Sequence, residues 1–319
     1  MIELLSEHLR LHIRPDLGAG IARFDMRSPR PLPHHRGDFI PLMRPANPDA
    51  TAFNDLSCYI LAPWSNRIAN AAFSFAGTLH TLRADWPDGT AIHGDVKHRA
   101  WSILDRSPVS ARLAYDAAKG DTPAARNWPW SYRAEVRYEL QESFLRTHLS
   151  VTNTDDAPFP VGVGFHPFWV RSLLAFPTTA GQSAVVTMRS TGRYPCENML
   201  PLGPAARDGV SDALSRGTNI DDLELDDVFA GFDGAASIAW PSGGVRIDYR
   251  CSKNLGHSVI YSPPKDSPMG RLFCLEPVSM INDGFNLLAR GQPATGVTIL
   301  KPGDTLTVDW DIMVSQSGE

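Results

Sequence analysis

Apolar and polar residues alternate with a period of two in short runs from one end of the chain to the other. Leu9, Leu11 and Ile13 alternate with Arg10, His12 and Arg14, and Val136, Tyr138 and Leu140 with Arg137, Glu139 and Gln141. A turn at Glu142-Ser143 leads to Leu145, Leu149 and Val151 on one face. The pattern returns in Val245, Ile247 and Tyr249, and again in Leu306, Val308, Trp310 and Ile312. Successive side chains of a strand point to opposite faces, so this spacing predicts antiparallel strands with one side in a core and the other in water. Turn residues are dense, with 25 Gly and 26 Pro, and Lys301-Pro302-Gly303-Asp304 reads as a type II turn leading into the last strand. Long amphipathic helices are missing from the pattern. Short helical pieces are expected around Phe53 to Ile60 and Ala205 to Ser215, and the proline-rich stretch from Ser28 to Asp49 reads as a long irregular loop. With no β-α-β alternation, internal repeat or linker, the expectation is all-β: one large antiparallel β-sandwich domain over residues 1–319.

Composition narrows the function. A formal net charge of -5 argues against an electrostatic nucleic-acid binder. The four cysteines, Cys58, Cys196, Cys251 and Cys274, show no C-x-x-C spacing, which disfavours a disulfide framework or structural zinc and fits buried thiols in a reducing compartment. Glu3 and Glu7 stand where a signal peptide would carry positive charge, and no apolar stretch approaches the ~20 residues of a membrane span. A soluble cytoplasmic protein, with no membrane or nucleic-acid partner, is expected.

The chemistry concentrates in two runs. Gly162 to Trp169 contains His166 before Pro167, and Leu272 to Val278 contains Glu276 before Pro277. A residue before proline is steered toward extended backbone, which places both on or beside strands. A glutamate in so apolar a run should have its pKa raised toward neutrality, as a general base requires, and histidine already titrates there. In Pro63-Trp64-Ser65-Asn66-Arg67-Ile68 an amide stands beside a guanidinium, a pair suited to adjacent hydroxyls, or simply a turn with a surface arginine. His93 in Ile92-His93-Gly94 is either a ligand-facing or a structural histidine, and Trp101 reads as core rather than a stacking platform. The acidic run Asp221 to Asp227 lacks calcium-loop spacing and reads as a solvated face from which Asp226 or Asp227 turns inward. The histidines form no recognisable zinc pattern, His34-His35 reads as a solvated pair, and no nucleotide or nucleophile motif is present. Acid–base chemistry without metal or organic cofactor is the expectation.

In this order the segments resemble the aldose 1-epimerase (galactose mutarotase) family. They are Pro-Trp-Ser-Asn-Arg-Ile at 63–68, Ile-His-Gly at 92–94, Gly-Phe-His-Pro-Phe at 164–168, Leu-Asp-Asp-Val-Phe at 225–229 and Cys-Leu-Glu-Pro at 274–277. The resemblance covers nearly the whole chain and implies a large β-sandwich with an open sugar groove and a monosaccharide substrate. It implies Glu276 as general base and His166 as general acid. Asn66, Arg67 and His93 then position the sugar, as does Asp226, with Asp227 as the fallback. Three positions depart from the galactose enzymes: Asp95 where they have a second glycine, Phe165 where they have asparagine, and Asp-Asp-Val-Phe where they have Asp-His-Asn-Phe. Galactose as substrate does not follow, and these features look closer to broader branches that include hexose-6-phosphate epimerases. A phosphorylated substrate would need cations, for which Arg83, Lys97 and Arg99 are the candidates. A carbohydrate-binding or sensing protein of the same fold is the other alternative. The expected assembly is a monomer or homodimer. His166 and Glu276 are expected to face each other across a gap wide enough for a pyranose ring, without touching.

Overall fold

The computed structural model describes residues 1–28, 38–117, 126–173 and 183–316. The runs of period two become the strands of two large sheets, antiparallel throughout among the described residues. One sheet has ten strands. Its edge is built from Ile2–Leu5, Leu9–Arg14 and Gly20–Arg27, and its middle from Cys58–Leu61, Gly164–Val170, Leu272–Val278, His257–Ser262 and Leu225–Ala230. The nine-stranded sheet runs from Ser102–Arg106 through Tyr132–Gln141, Phe144–Asn153, Thr305–Gln316 and Val245–Cys251 to Val185–Met188 and Thr218–Asn219.

Alternation decides what each strand contributes. Ile60, Phe165, Ile260, Phe273 and Leu275 of the larger sheet share a buried cluster with Leu113, Val136, Leu149, Ile247, Val308 and Trp310 of the smaller one. Phe165 stacks on Trp310 with ring centroids 5.1 Å apart, directly across the two layers. Trp101 is buried in the same cluster, as the sequence indicates. The intervening residues of the larger sheet, among them Tyr59, Leu61, Phe168, Val228, Val259, Cys274 and Val278, form a second apolar layer on its other face. That second face carries the candidate chemistry.

Two local expectations change and a third is met over shifted bounds. Phe53 to Ile60 is only a 3-10 turn at Phe53–Asp55 before the Cys58–Leu61 strand begins. The second helical piece is an α-helix at Gly209–Arg216, started by Asp208, whose carboxylate accepts the Ser211 N–H at 2.8 Å. Part of the proline-rich stretch is ordered pairing: Phe39–Pro41 adds a short strand beside Gly20–Arg27. His34 and His35 lie outside the described residues. The Lys301 turn closes as expected, with Asp304 N–H on Lys301 C=O at 2.9 Å and Gly303 at φ 83°.

Candidate active site

Strand register brings the histidine and the glutamate together. Gly164 pairs with Val278 and Phe168 with Cys274, so His166 and Glu276 stand opposite one another on neighbouring strands. His166 is also aligned with Tyr59 on its other side, and Glu276 with Val259. Four side chains, Tyr59, His166, Glu276 and Val259, thus form one row across the middle of the sheet. Their common face follows from the period of two.

The ladder between these two strands is interrupted where the pair sits: paired positions resume only at Phe168 and Val278. The prolines account for this. Phe168 N–H bonds Ser57 on the far side, so position 167 would donate toward the glutamate strand; Ser279 N–H bonds Val163, so position 277 would donate toward the histidine strand. Proline has no N–H, and both donors missing from this seam are therefore missing at the pair.

The expected gap is not there. His166 Nε2 and Glu276 Oε1 are 3.2 Å apart, in direct contact. Adjacent strands carry opposed side chains about 5 Å apart at Cβ, and two long polar groups in an apolar row meet because nothing else offers them a partner. Glu276 is 2% exposed and His166 8%. Burial pushes the Glu276 carboxyl well above the usual range; Asp226 adds to the rise and Arg67 opposes it. Burial lowers His166 to about 3, with Arg44 adding to the fall. Both shifts run toward the uncharged forms, a protonated carboxyl beside a neutral imidazole. Glu276 Oε2 and His166 Nδ1 are buried with no hydrogen-bond partner.

Around this pair the structure brings Asn66, Arg67, His93 and Asp226. Asn66 and His93 both adopt left-handed backbone, at φ 54° and 60°, and His93 N–H bonds Asn66 C=O at 2.9 Å. Such conformations are uncommon for residues with a side chain and mark a locally over-determined structure. The His93 ring stands edge-on to His166, centroids 5.0 Å apart, and burial with the nearby His166, Lys97 and Arg67 holds it well below its ordinary pKa. Arg67 pairs with Ile92 in a two-residue ladder and sets its Nε 2.9 Å from Asp88 and its Nη1 3.4 Å from Asn66 Oδ1. Asp226 lies on the same face as Val228, close enough to act on Glu276, and desolvation of its carboxyl raises its own pKa, with Arg67 opposing the rise and Asp227 adding to it. Asp227 points the other way and pairs with Arg193 at 3.1 Å. Asp221 is no part of a solvated face, because it binds Arg171 at 3.0 Å and Lys265 at 2.7 Å.

Two departures from the resembling enzymes turn out to point away from the pair. Phe165 faces the sandwich interior. Asp95 is a buried hub that takes the Asn127 N–H at 2.9 Å, the Arg99 guanidinium and the Tyr132 hydroxyl at 3.3 Å. Two of the three candidate phosphate ligands are already committed: Arg99 clamps Asp95, and Lys97, 0% exposed, donates to Asp85 at 2.7 Å and to the Ile92 and Gly94 carbonyls. Among the other neighbours, Phe168 closes the Gly-Phe-His-Pro-Phe segment, whereas Tyr59 and Arg44 lie in no motif. Tyr59 stacks on His166 at 4.5 Å, Phe168 lies 4.7 Å away, and the Arg44 guanidinium sits over Phe168 at 4.1 Å. Tyr59 was within reach of a period-two reading of Cys58 to Leu61; Arg44 was hidden in the stretch read as a loop.

Comparison with known proteins adds to this geometry. The family model for aldose 1-epimerase matches residues 34–312. The uncharacterized protein YphB of Escherichia coli (strain K12) is 27% identical over 285 residues, 87% of this chain and 90% of that one. A provisionally assigned aldose 1-epimerase of Escherichia coli K12 superposes with a TM-score of 0.80 at 23% identity, covering 98% of each chain. A galactose mutarotase-like protein of Clostridium acetobutylicum gives 0.82 at 18% identity over 98% of this chain and 94% of that one. At these identities the two structures speak for the fold.

Proposed function

The chain belongs to the aldose 1-epimerase family, and on that premise we propose that it interconverts the α and β anomers of an uncharged aldose by acid–base catalysis without metal or organic cofactor. The observation that carries the reading is the buried contact between His166 Nε2 and Glu276 Oε1 at 3.2 Å. Binding alone has no use for such a pair, which weighs against a sugar sensor.

In the proposed cycle the sugar parts the two side chains and places O1 toward Glu276 and O5 toward His166. The pair's proton moves to the imidazole. Glu276 takes the proton from the O1 hydroxyl, His166 delivers one to O5, and the C1–O5 bond breaks to give the open aldehyde. At that stage Glu276 is protonated and His166 neutral, the distribution that burial already favours, so the site's environment assists ring opening. C1 then turns about the C1–C2 bond. His166 recovers the O5 proton, Glu276 returns one to O1, and the ring closes on the other face. Asn66, Arg67, His93 and Asp226 hold the remaining hydroxyls and keep the aldehyde in place. The chain works as one domain in a reducing, cytoplasmic setting; in support, one core cluster draws on both sheets, all four cysteines are unbridged, and no helix among the described residues could cross a membrane.

An uncharged sugar is favoured over a sugar phosphate because the site presents the carboxyl groups of Glu276 and Asp226, while Lys97, Arg99 and Arg67 each face a carboxylate already. Polarimetry or NMR exchange on freshly dissolved aldoses and their 6-phosphates tests this. At least one neutral aldose should show catalysed exchange with a higher kcat/KM than its 6-phosphate. Preference for the phosphate would overturn the substrate class, and no exchange with any sugar would overturn the activity.

The opposite shifts of His166 and Glu276 also set the pH dependence. Activity should persist down to the value near which His166 takes a second proton, about 3, and should fall on the alkaline side only when Glu276, raised well above 4.5, gives up the pair's last proton. A pH profile of kcat/KM reads both limbs. An acid limb centred near the ordinary 6.5 of histidine would show that the imidazole titrates as though exposed.

A further inference from the structure

Cys274 stands beside the acid–base pair, and the ring-opening chemistry makes no use of it. It precedes Glu276 by two residues on the same face of the same strand and lies opposite Phe168, diagonal to His166. Its side chain is 0% exposed and unbridged. A ring nitrogen of His166, the Cys274 sulfur and a carboxylate oxygen of Glu276 all lie within 4.8 Å of one another. Two of these three side chains keep a buried polar atom with no hydrogen-bond partner, Glu276 Oε2 and His166 Nδ1. Buried polar atoms of this kind call for an occupant.

We infer that His166, Cys274 and Glu276 form a binding site for a borderline-soft divalent cation, with Zn2+ as the best fit, and that metal and sugar exclude each other there. The donor set is one nitrogen, one sulfur and one carboxyl oxygen, and the buried thiol and carboxyl give up their protons when the cation binds. Zinc accepts such mixtures at about 2.0–2.3 Å, which sets tetrahedral ligand atoms about 3.5 Å apart. Small side-chain rotations close the remaining distance. Magnesium and calcium seek more oxygen ligands than this row offers. A fourth position would lie on the outer face of the sheet, where the proposed cycle places the sugar. Metal bound here takes the same lone pairs that proton transfer needs, so it inhibits. The inhibitory half of the inference rests on the epimerase reading; the binding half does not.

The experiment titrates Co2+, as a spectroscopic stand-in, into the purified full chain and then displaces it with Zn2+. A thiolate-to-cobalt charge-transfer band and intense tetrahedral d–d bands are expected. Cys274→Ser and Cys274→Ala should lose the thiolate band and weaken Zn2+ binding at least about tenfold. In the exchange assay Zn2+ should slow the wild type, more Zn2+ being needed as sugar is raised, and EDTA should restore the full rate. The Cys274 variants should keep the basal rate and lose the sensitivity. No thiolate band, or an equal band in the Cys274 variants, would overturn the site. Inhibition indifferent to sugar concentration, or loss of exchange on chelation with recovery on adding one divalent ion, would overturn the exclusion. Because the spectrum needs no turnover, cobalt bound through Cys274 in a protein that exchanges no sugar counts against the epimerase reading alone. Sugar exchange without a thiolate band counts against the metal site alone.

Discussion

Glu276→Gln or His166→Asn should slow anomer exchange at least about 10²-fold while leaving the protein folded, since general acid or base groups are typically worth ~10²–10⁴ each. Glutamine keeps the volume of Glu276 and can still occupy its place beside His166, but it cannot take the O1 proton. Asparagine keeps a polar group near the position of the imidazole and cannot deliver one to O5. Neither change removes a charge that the fold depends on, because burial already favours the neutral forms of both groups. The two residues act on one proton inventory, so the double variant should lose little more than either single one. Exchange rates on the substrate found in the sugar panel, with thermal melts as the folding control, decide the matter. Wild-type turnover in either single variant would remove that residue from the mechanism.

Gly94→Ala should damage stability and turnover together. Gly94 sits at φ 77°, and a Cβ there would fall 2.1 Å from the Ala62 carbonyl oxygen and 2.5 Å from its carbon. The left-handed conformation alone costs about 1–2 kcal/mol for a residue with a side chain. The overlap is with main chain, which cannot rotate away, so a total of about 3 kcal/mol or more is expected. The Ala62 carbonyl that must move also accepts the Asp95 N–H at 2.8 Å and the Val96 N–H at 3.1 Å. His93, next in the chain, loses its placement against Asn66 and His166. A melting temperature lower by roughly 5 °C or more and an exchange rate lower by about 10²-fold are the expected readings. A variant with wild-type values for both would show that the turn has room that the structure denies it.

The strands were legible because a half-buried strand must alternate, and the runs at 9–14, 132–153, 245–251 and 305–316 do so. The pairing of those strands was not, since register depends on contacts between segments far apart in the chain. That is why the sequence argument could place His166 and Glu276 on strands yet separate them by a sugar's width. Proline misleads in a related way: it usually marks a sheet edge, whereas Pro167 and Pro277 lie in the middle of a ten-stranded sheet. Lys97 and Arg99 look like cations awaiting an anion until the turn folds and brings Asp85 and Asp95 to them. Tyr59, Arg44 and Cys274 have no local signature, and only the row across the sheet reveals them.

The seam between the histidine and glutamate strands has a consequence for how this protein can change over generations. With no main-chain donors at positions 167 and 277, the two strands are stitched above and below the pair and unstitched at it. The side chains that must part for a ring stand on one face of the sheet, above main chain whose ladder is interrupted at the pair. An alanine at either proline would restore a donor to this seam and stiffen the two strands that carry the pair. Mutational drift toward a sturdier sheet and selection for a working sugar site thus pull on the same two residues in opposite directions.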